Sequence, residues 1–412
     1  MIAVRSRSTF LCLPLGIGCY FVYQALFPIS FDLDAMNHRF FGSDGEYIVR
    51  HYLEGIKENQ ADHLLYHAIA DLFHGQGTIP PAHVVELHRY LSASSGAILV
   101  SLAFLFVLFL GGGLFLALAL ALLLGGNTSV LYFSSTVETF LPSLLWGFSA
   151  CFLTLRLVQA PRSWLLAVAL GTCLGLAFLF RSDGILFLFL IVLLPWRSGL
   201  SISSLTALLL GGICVGGLGY MILAWSIHDV PPSEILPWLF GSMRRPQVLT
   251  GQWGSFSNFT PDNLSAVFIN HVLFSILPPE PTSIGRFSDV AHYHLLAWPL
   301  VLALVALIIS GLCSPSRLLP PSANPLRKAA MLWFFPHLLF ALWLGPHEPF
   351  LFSILNTPAL WLLCCRGGLF LTQPFAGKQA KLRTTILVML CLGLWAHNLL
   401  LFIFPLASGQ IW

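Results

Sequence analysis

The stretch that decides the fold is Phe109-Leu-Gly-Gly-Gly-Leu-Phe115, in the middle of an uncharged segment that runs from Leu91 to Thr136. As one continuous α-helix, this segment would be about 69 Å long, more than twice the roughly 30 Å of hydrocarbon in a bilayer. Glycine is a poor helix former and permits tight turns. The glycine triplet therefore predicts two membrane-spanning helices joined by a short turn. A single helix here would reverse the side of the membrane on which every later loop lies.

The composition of the chain is that of a multi-pass membrane protein. Charged residues make up 9% and hydrophobic residues 57% of the 412 residues, and the mean hydropathy is +0.82. Soluble domains carry about 25% charged residues, so this chain is too apolar to be one. Its net charge of +3 gives no indication of a nucleic-acid partner.

The apolar runs predict an all-α integral membrane fold with about 11 transmembrane helices. Only helices are expected in these runs, because hydrocarbon cannot satisfy free backbone groups. Residues 1–412 form a single polytopic membrane domain in this interpretation. The runs at 113–126 and 184–196 are short, and we expect them to be tilted or partial spans. The runs lie at about 10–28, 92–110, 113–126, 139–157, 163–180, 184–196, 203–225, 293–312, 329–345, 351–365 and 384–404.

The positions of the charges predict the orientation. Twelve of the 20 Lys and Arg residues, and none of the 17 Asp and Glu residues, fall on the side that holds the N-terminus. By the positive-inside rule, the N-terminus is cytoplasmic and the C-terminus non-cytoplasmic. Two long loops, 29–91 and 226–292, lie on the non-cytoplasmic side, where any site is therefore expected. Such a protein fits a bacterial inner membrane, which we favour, or an endoplasmic reticulum membrane.

The first long loop contains the acidic stretch Ser43-Asp-Gly-Glu46. Its serine and glutamate form a capping box, and acids in a first turn favour the helix dipole, so a purely structural role accounts for them. The alternative is that Asp44 is a general base helped or oriented by Glu46, because a partly desolvated carboxylate can take a proton from a hydroxyl. Both interpretations stay open. The apolar stripe that follows from Ile48 suits a surface helix.

A second amphipathic helix is predicted farther along this loop. His63, His67, Asp71 and His74 share one helical face, and apolar residues occupy another. The polar face is either a solvated surface, a surface that meets a substrate, or a metal site, since two histidines four residues apart can bind zinc. No cofactor is firmly implied, and a divalent metal is left open.

Arg181-Ser-Asp-Gly184 separates two apolar runs on the outer side. An arginine at the end of a span often anchors it at the interface, but Arg181 lies against the prevailing charge bias. Arginine suits bidentate binding of phosphate. Arg181, and Arg244 with Arg245 in the second long loop, are therefore candidate phosphate ligands, and Asp183 is a candidate substrate contact.

Three further ionisable residues lie in short outer turns. Glu138 either caps the helix that follows it or faces a cleft. His347 and Glu348 lie between two prolines, which alone can explain a turn, although ionisable residues at that depth also favour a function. All three are candidate substrate contacts.

The arrangement resembles the GT-C class of membrane glycosyltransferases, in particular protein O-mannosyltransferases and aminoarabinose transferases. Asp44-Gly-Glu46-Tyr47 is similar to the acidic motif in the first outer loop of that class, and His63-Leu-Leu-Tyr-His67 falls where such proteins carry a His/Tyr helix. Gly175-Leu-Ala-Phe-Leu-Phe-Arg181-Ser-Asp-Gly184 looks like a stretch found in several members. The resemblance covers roughly residues 1–200 in plan. Here the two acids are separated by glycine, and the His/Tyr helix lacks a proline that many relatives have.

The resemblance implies an enzyme that moves a sugar from a polyprenyl-phosphate donor to a lipid, glycan or protein acceptor on the non-cytoplasmic face. It implies Asp44 as base, Glu46 as its helper, and arginines as ligands of the donor phosphate. Some members of the class need a divalent ion and others do not. The remaining candidates are predicted to contact substrate: His63, Tyr66, His67, Glu138, Asp183, His347 and Glu348. Besides the donor and acceptor, membrane lipids are the expected partners.

The alternative function is that of a transporter or flippase of lipid-linked saccharides. Transporters favour paired repeats and charged residues near the middle of the bilayer. In this chain the middles of the spans are nearly uncharged, and no internal repeat stands out, which favours the enzyme.

Overall fold

A computed structural model describes residues 9–26, 63–74, 80–137, 139–195, 199–241, 254–274, 298–346, 349–372 and 378–400. The regular structure in these ranges is helical. The surface helix predicted from Ile48 lies outside them, as do seven of the candidate site residues: Asp44, Glu46, Glu138, Arg244, Arg245, His347 and Glu348.

Helices cover most of the described chain, and one lies in every apolar run predicted to span the membrane. A 3₁₀ helix covers Ser182–Leu193, and a π turn at Ile213–Leu218 joins two α-helices. In chain order the α-helices are α1 (Cys12–Leu26), α2 (Leu64–His74), α3 (Pro81–Phe109), α4 (Leu114–Gly125), α5 (Thr128–Ser134), α6 (Phe140–Gln159), α7 (Trp164–Phe180), α8 (Ile202–Gly212), α9 (Gly219–His228), α10 (Ile235–Gly241), α11 (Pro261–Phe274), α12 (Trp298–Cys313), α13 (Leu326–Leu344), α14 (Pro349–Thr372) and α15 (Lys378–Asn398).

The glycine triplet breaks the uncharged segment as predicted. α3 ends at Phe109 and α4 begins at Leu114, and the two helices pack against each other. Gly111 has a φ of 91°, in the region that glycine adopts at little cost. The prediction of two helices joined by a glycine turn is therefore confirmed.

Four helical segments in the described ranges are long and apolar enough to cross a membrane: Glu86–Phe109, Phe140–Gln159, Ile202–His228 and Phe352–Thr372. A fifth is added if α4 and α5, which are bent by 65° to each other, form one broken span. α1, α7, α12 and the 3₁₀ helix are shorter apolar helices. The chain is an integral membrane protein by these features, while the larger number of spans and their orientation stay predictions.

The short run at 184–196 is largely a 3₁₀ helix. Its buried residues Gly184, Phe187 and Leu190 recur every three residues, the spacing at which side chains align along a 3₁₀ helix. At about 2.0 Å per residue, its 12 residues extend about 24 Å, whereas an α-helix of that length would extend about 18 Å. The 3₁₀ coil therefore makes this segment about 6 Å longer than an α-helix with the same number of residues.

Small residues bring α7 close to its neighbours. A Cβ atom on Gly175 would lie 2.6 Å from the backbone nitrogen of Gly216 in the π turn, and one on Gly184 would collide with the backbone of Ala177. The 3₁₀ helix therefore starts by folding back onto the last turn of α7. The stretch Gly175–Gly184 is thus a packing motif that fixes Arg181 at the corner between two helices.

The helix α14 runs through the middle of the bundle and packs against α4, α11, α12 and α13. Near its C-terminal end, the buried guanidinium of Arg366 donates to Ser314 Oγ at 2.6 Å and to the Ser314 carbonyl at 2.7 Å, and also to the Gly311 carbonyl. These contacts satisfy carbonyls left open at the end of α12. Arg366 lies at one end of the bundle and Arg181 lies at the opposite end, which is the predicted non-cytoplasmic end.

Candidate functional site

Polar side chains contact Arg181 at its end of the bundle. It follows α7 directly, and only 7% of its surface is exposed. Its Nε lies 3.1 and 3.2 Å from the two carboxylate oxygens of Asp183, and its Nη2 lies 3.2 Å from Oδ2. One guanidinium therefore engages both oxygens of Asp183.

Residues at the start of α6 contact the Arg181 guanidinium from another side. Nη1 donates to Thr139 Oγ1 at 2.6 Å, and Cζ lies 3.7 Å from the centroid of the Phe140 ring, which is a cation–π contact. The Phe140 ring packs in turn against Phe133 and Phe352. Among the described residues, Asp183 and Thr139 thus hold the guanidinium by hydrogen bonds, and the Phe140 ring, which is itself supported, lies against its face.

The pair formed by Arg181 and Asp183 has no net charge, and both side chains are buried. Breaking a buried ion pair by removing one member is strongly destabilising, so Asp183 helps to keep Arg181 in place. An anion that binds here has to share the guanidinium with Asp183. The geometry gives Asp183 an orienting role toward Arg181, which is more specific than the substrate contact expected from the sequence.

The predicted His/Tyr helix is α2. It packs against α3, α7 and α9, and His63, Tyr66 and His67 are all buried. Because His63 and His67 are buried, the interpretation of this polar face as a solvated surface is wrong for these two residues. Tyr66 packs with Phe180, the residue before Arg181, and its ring centroid lies 4.3 Å from that of His88.

A second polar cluster lies deeper in the bundle, and the sequence reasoning did not single it out. It consists of His271 on α11, His337 on α13 and Asn356 on α14, all fully buried. Nδ1 of His337 donates to the Trp333 carbonyl at 2.8 Å, and the Asn356 amide donates to Nδ1 of His271 at 2.7 Å. A signal was available for His337, because an ionisable residue inside an apolar run is a functional candidate.

Phe187 of the 3₁₀ helix connects the deeper cluster to the arginine. Its ring centroid lies 4.9 Å from that of His337 and 4.8 Å from that of Trp333. Phe187 also follows Asp183 by four residues in the same 3₁₀ helix. The deeper cluster therefore lies behind the pair of Arg181 and Asp183.

Burial keeps the His271 ring neutral. Desolvation, with a smaller contribution from repulsion by His337, lowers the pKa of His271 from 6.5 to about 3. A neutral imidazole offers one donor and one acceptor, so this histidine takes part in the cluster through hydrogen bonds.

The fold of this chain is similar to that of several solved structures, and two of these hold a polyprenyl phosphate. One is the archaeal oligosaccharyltransferase AglB from Archaeoglobus fulgidus, in complex with an inhibitory peptide and a dolichol-phosphate: 13% sequence identity, TM-score 0.50, 97% of this chain and 56% of that chain covered. The other is ArnT from Cupriavidus metallidurans, bound to undecaprenyl phosphate: 12% identity, TM-score 0.50, 97% of this chain and 77% of that chain covered. The chain has a GT-C-like fold. No protein-family model matches it, and no match was found among curated proteins.

The GT-C-like fold confirms the resemblance expected from the sequence at the level of architecture. This chain spans little more than half the length of AglB, 56%. At 12–13% identity the likeness concerns the arrangement of helices, so individual residues are not carried over from either structure.

Within the GT-C-like fold, the structure brings several predicted residues together. Arg181 and Asp183 form an ion pair. Tyr66 packs against Phe180, the residue that precedes Arg181. Sequence reasoning missed Thr139 and Phe140, which carry no charge pattern and are brought to Arg181 only by the packing of α6 on α7. Among the described residues, no three His, Cys, Asp or Glu side chains are grouped as metal ligands.

Proposed function

We propose that the chain is a membrane glycosyltransferase that moves a sugar from a polyprenyl-phosphate donor to an acceptor at the Arg181 end of the bundle. The observation that carries this proposal is Arg181, a buried arginine fixed at a helix corner by Asp183, Thr139 and Phe140. Its guanidinium suits a phosphate group. The fold is shared with AglB and ArnT, whose structures hold dolichol-phosphate and undecaprenyl phosphate.

The reaction needs a base, a stabiliser for the leaving phosphate and an acceptor hydroxyl. Asp44 takes the proton of the acceptor hydroxyl, with Glu46 orienting the acceptor or the base. The acceptor oxygen forms a bond to the anomeric carbon, and the bond from that carbon to the phosphate oxygen breaks. The electron pair leaves with the polyprenyl phosphate, whose growing charge Arg181 stabilises.

The other candidates complete this proposal. Arg244 and Arg245 add positive charge for the donor phosphate, and Asp183 orients Arg181. The proposed contacts to sugar or acceptor are His63, Tyr66, His67, Glu138, His347 and Glu348. The acceptor is a lipid, a glycan or a protein on the non-cytoplasmic face of, in our preferred assignment, a bacterial inner membrane.

The donor side can be tested before any acceptor is known. Purified full-length protein in lipid nanodiscs is titrated with undecaprenyl phosphate, and Arg181→Gln is compared with Arg156→Gln. Arg156 is a matched control, because it also lies over a phenylalanine ring, Phe109, but in the last turn of α6 at the Arg366 end. Loss of a charge-assisted phosphate contact is expected to weaken binding about 10- to 100-fold in folded Arg181→Gln protein alone. Equal binding by all three proteins contradicts the assignment of Arg181.

The transfer step is tested by following the label of a radiolabelled undecaprenyl-phosphate sugar in membranes that contain the protein. Asp44→Asn is expected to lower transfer by a factor on the order of 100 or more, the range of general base catalysis. Asp262→Asn, at an exposed position in the first turn of α11, should leave transfer unchanged. Unchanged turnover in a folded Asp44→Asn protein rules out the base. Movement of the intact labelled lipid across the bilayer, with no sugar transfer, supports a flippase instead.

A further inference from the structure

Ser143 of α6 makes a hydrogen bond to the neighbouring helix α7, close to Arg181. Its side chain is buried, and its Oγ donates to the carbonyl of Ala177 at 2.9 Å. Ala177 lies in the last turn of α7, four residues before Arg181. The bond therefore links α6 to the part of α7 that carries the candidate phosphate ligand.

Other hydroxyls of α6 bond within their own helix. Ser149 Oγ donates to the Leu145 carbonyl at 2.8 Å. Thr154 Oγ1 donates in the same way to the Ala150 carbonyl at 2.8 Å. Such a bond to the carbonyl four residues earlier is a known pattern for serine and threonine in helices. Ser143 instead donates to a carbonyl 34 residues away in the chain, so its hydroxyl serves the contact between two helices.

The Ala177 carbonyl also contacts the backbone of the corner between α7 and the 3₁₀ helix. It accepts from the backbone nitrogen of Arg181 at 3.1 Å, the bond with which α7 ends. Gly184 of the 3₁₀ helix lies against it, since a Cβ atom there would be 2.4 Å from this oxygen. A carbonyl oxygen can accept two hydrogen bonds, and here Arg181 and Ser143 donate one each. The hydroxyl of Ser143 therefore attaches α6 to the peptide group around which the chain turns.

Ser143 belongs to a row of small residues on one face of α6. Thr139 and Ser143 are four residues apart, which places them about 6 Å apart along the helix axis. Thr139 Oγ1 accepts from Nη1 of Arg181 at 2.6 Å. Gly147, four residues after Ser143, lies against the Phe187 ring, where a Cβ atom would be 2.3 Å away. This row therefore sets the position of α6 along the corner that carries Arg181.

We propose that Ser143 is a positioning residue for Arg181. Its bond to Ala177 holds the corner at the place along α6 where the hydroxyl of Thr139 reaches the guanidinium. Without this bond, the backbone of Arg181 still bonds to Ala177, but α6 is no longer attached there and the guanidinium is held less firmly at Thr139. The inference rests on the proposed function, because it treats Arg181 as the ligand of the donor phosphate. Arginine binds phosphate through hydrogen bonds of defined direction, so a change in its orientation weakens binding.

The first test compares two serines of α6. Full-length protein in lipid nanodiscs is titrated with undecaprenyl phosphate. Ser143→Ala is expected to weaken binding about 3- to 10-fold, the value of one hydrogen bond between membrane helices. Ser149→Ala breaks only a bond inside α6 and should bind as wild type does. If Arg181→Gln weakens binding and Ser143→Ala does not, the proposal is overturned.

A double-variant cycle separates positioning from general loosening of the bundle. Thr139→Val removes the hydroxyl to which the guanidinium donates. Because residues that act through one contact are not additive, Ser143→Ala should change the affinity by less than about 2-fold once Thr139→Val is present. A serine with a merely structural role would weaken binding by the same factor with and without Thr139→Val. That result would overturn the positioning role.

A measurement without lipid distinguishes failure of this inference from failure of the proposed function. In protein labelled with isotopic nitrogen in arginine, the magnetic resonance signal of Arg181 is the one missing from Arg181→Gln. Rotation of its guanidinium is expected to be faster in Ser143→Ala than in wild type and Ser149→Ala. Equal rotation in all three proteins overturns the positioning role, whatever the lipid does. If undecaprenyl phosphate does not bind, or Arg181→Gln binds it as wild type does, the proposed function fails, while faster rotation in Ser143→Ala still supports Ser143 as the residue that orients Arg181.

Discussion

Arg181 and Asp183 are two residues apart in the chain and face each other across N–O distances of 3.1–3.2 Å, at the corner where α7 ends and the 3₁₀ helix begins. Their pairing is local and is set by the turn of the backbone between them. Thr139, which is 42 residues away in sequence, comes to the same guanidinium through packing of α6 on α7. The geometry around Arg181 therefore depends on the backbone turn between α7 and the 3₁₀ helix and on the packing of α6 against α7.

Asp183→Asn is expected to destabilise the protein by about 3–5 kcal/mol, because it removes a buried carboxylate that pairs with the buried charge of Arg181. The measurement is thermal or denaturant unfolding in detergent. The double variant Arg181→Met with Asp183→Leu should recover most of the loss, since replacing both members of a buried pair with apolar residues is close to neutral. The exposed Asp262→Asn serves as the control. A single variant as stable as wild type would show that the pair is not buried as described.

Phe140→Leu removes the aromatic face under Arg181. A cation–π contact contributes about 0.5–2 kcal/mol, so affinity for undecaprenyl phosphate should fall about 2- to 30-fold. Phe109→Leu removes the ring under Arg156 and should leave this affinity unchanged. If both variants lose affinity equally, the effect comes from general loosening of the bundle and not from the orientation of Arg181.

Gly175→Ala is expected to separate α7 from the π turn. The added Cβ would lie 2.6 Å from the Gly216 nitrogen and 3.0 Å from Val215 Cβ, and close contact between helix backbones is how small residues stabilise membrane helix pairs. We expect a loss of at least about 2 kcal/mol, in line with overpacking in a tight interior. Gly217→Ala, whose Cβ would be 3.9 Å from its nearest neighbour, should be neutral or slightly stabilising. Unfolding of the two variants in detergent gives the comparison.

The pKa of His271 predicts a loss of stability in acid. Burial lowers it from 6.5 to about 3, so between these values the unfolded chain binds a proton that the folded chain does not. The free energy of unfolding therefore falls as the pH is lowered below 6.5, by roughly 2 kcal/mol at pH 5 from this group.

The contribution of His271 is isolated by comparing unfolding midpoints at pH 7 and pH 5. His271→Gln should show a smaller drop than wild type over this range. His83→Gln, at an exposed position, should show the same drop as wild type. Identical pH dependence of all three proteins would mean that the His271 ring is not desolvated in the folded state.

Much of the fold follows from the sequence because the membrane restricts the possibilities. Long apolar runs have to be helices, and a run too long for one crossing has to break, as it does at Gly111. The 3₁₀ helix was not predictable in the same way. Residues 185–194 are all apolar. Because no polar residue recurs at a fixed spacing, the sequence cannot distinguish the three-residue repeat of a 3₁₀ helix from the 3.6-residue repeat of an α-helix.

The candidate site was predictable where its chemistry is local and charged. Arg181 stood out against the charge bias, and Asp183 lies two residues away. Phe140 is one of 34 phenylalanines, and nothing in its neighbourhood indicates a contact with an arginine. His337 was open to prediction as an ionisable residue inside a span, but its proximity to His271 depends on how α11 packs between α13 and α14.

The coil type of the Ser182–Leu193 segment links the site to the thickness of the bilayer. Twelve residues wound as an α-helix would be about 6 Å shorter than as a 3₁₀ helix. Membranes differ by a few Å in hydrocarbon thickness, and helices adapt to such mismatch at modest cost. Because Arg181 lies at one end of this segment, the 3₁₀ coil sets the guanidinium about 6 Å farther from Leu193 than an α-helix of the same residues would.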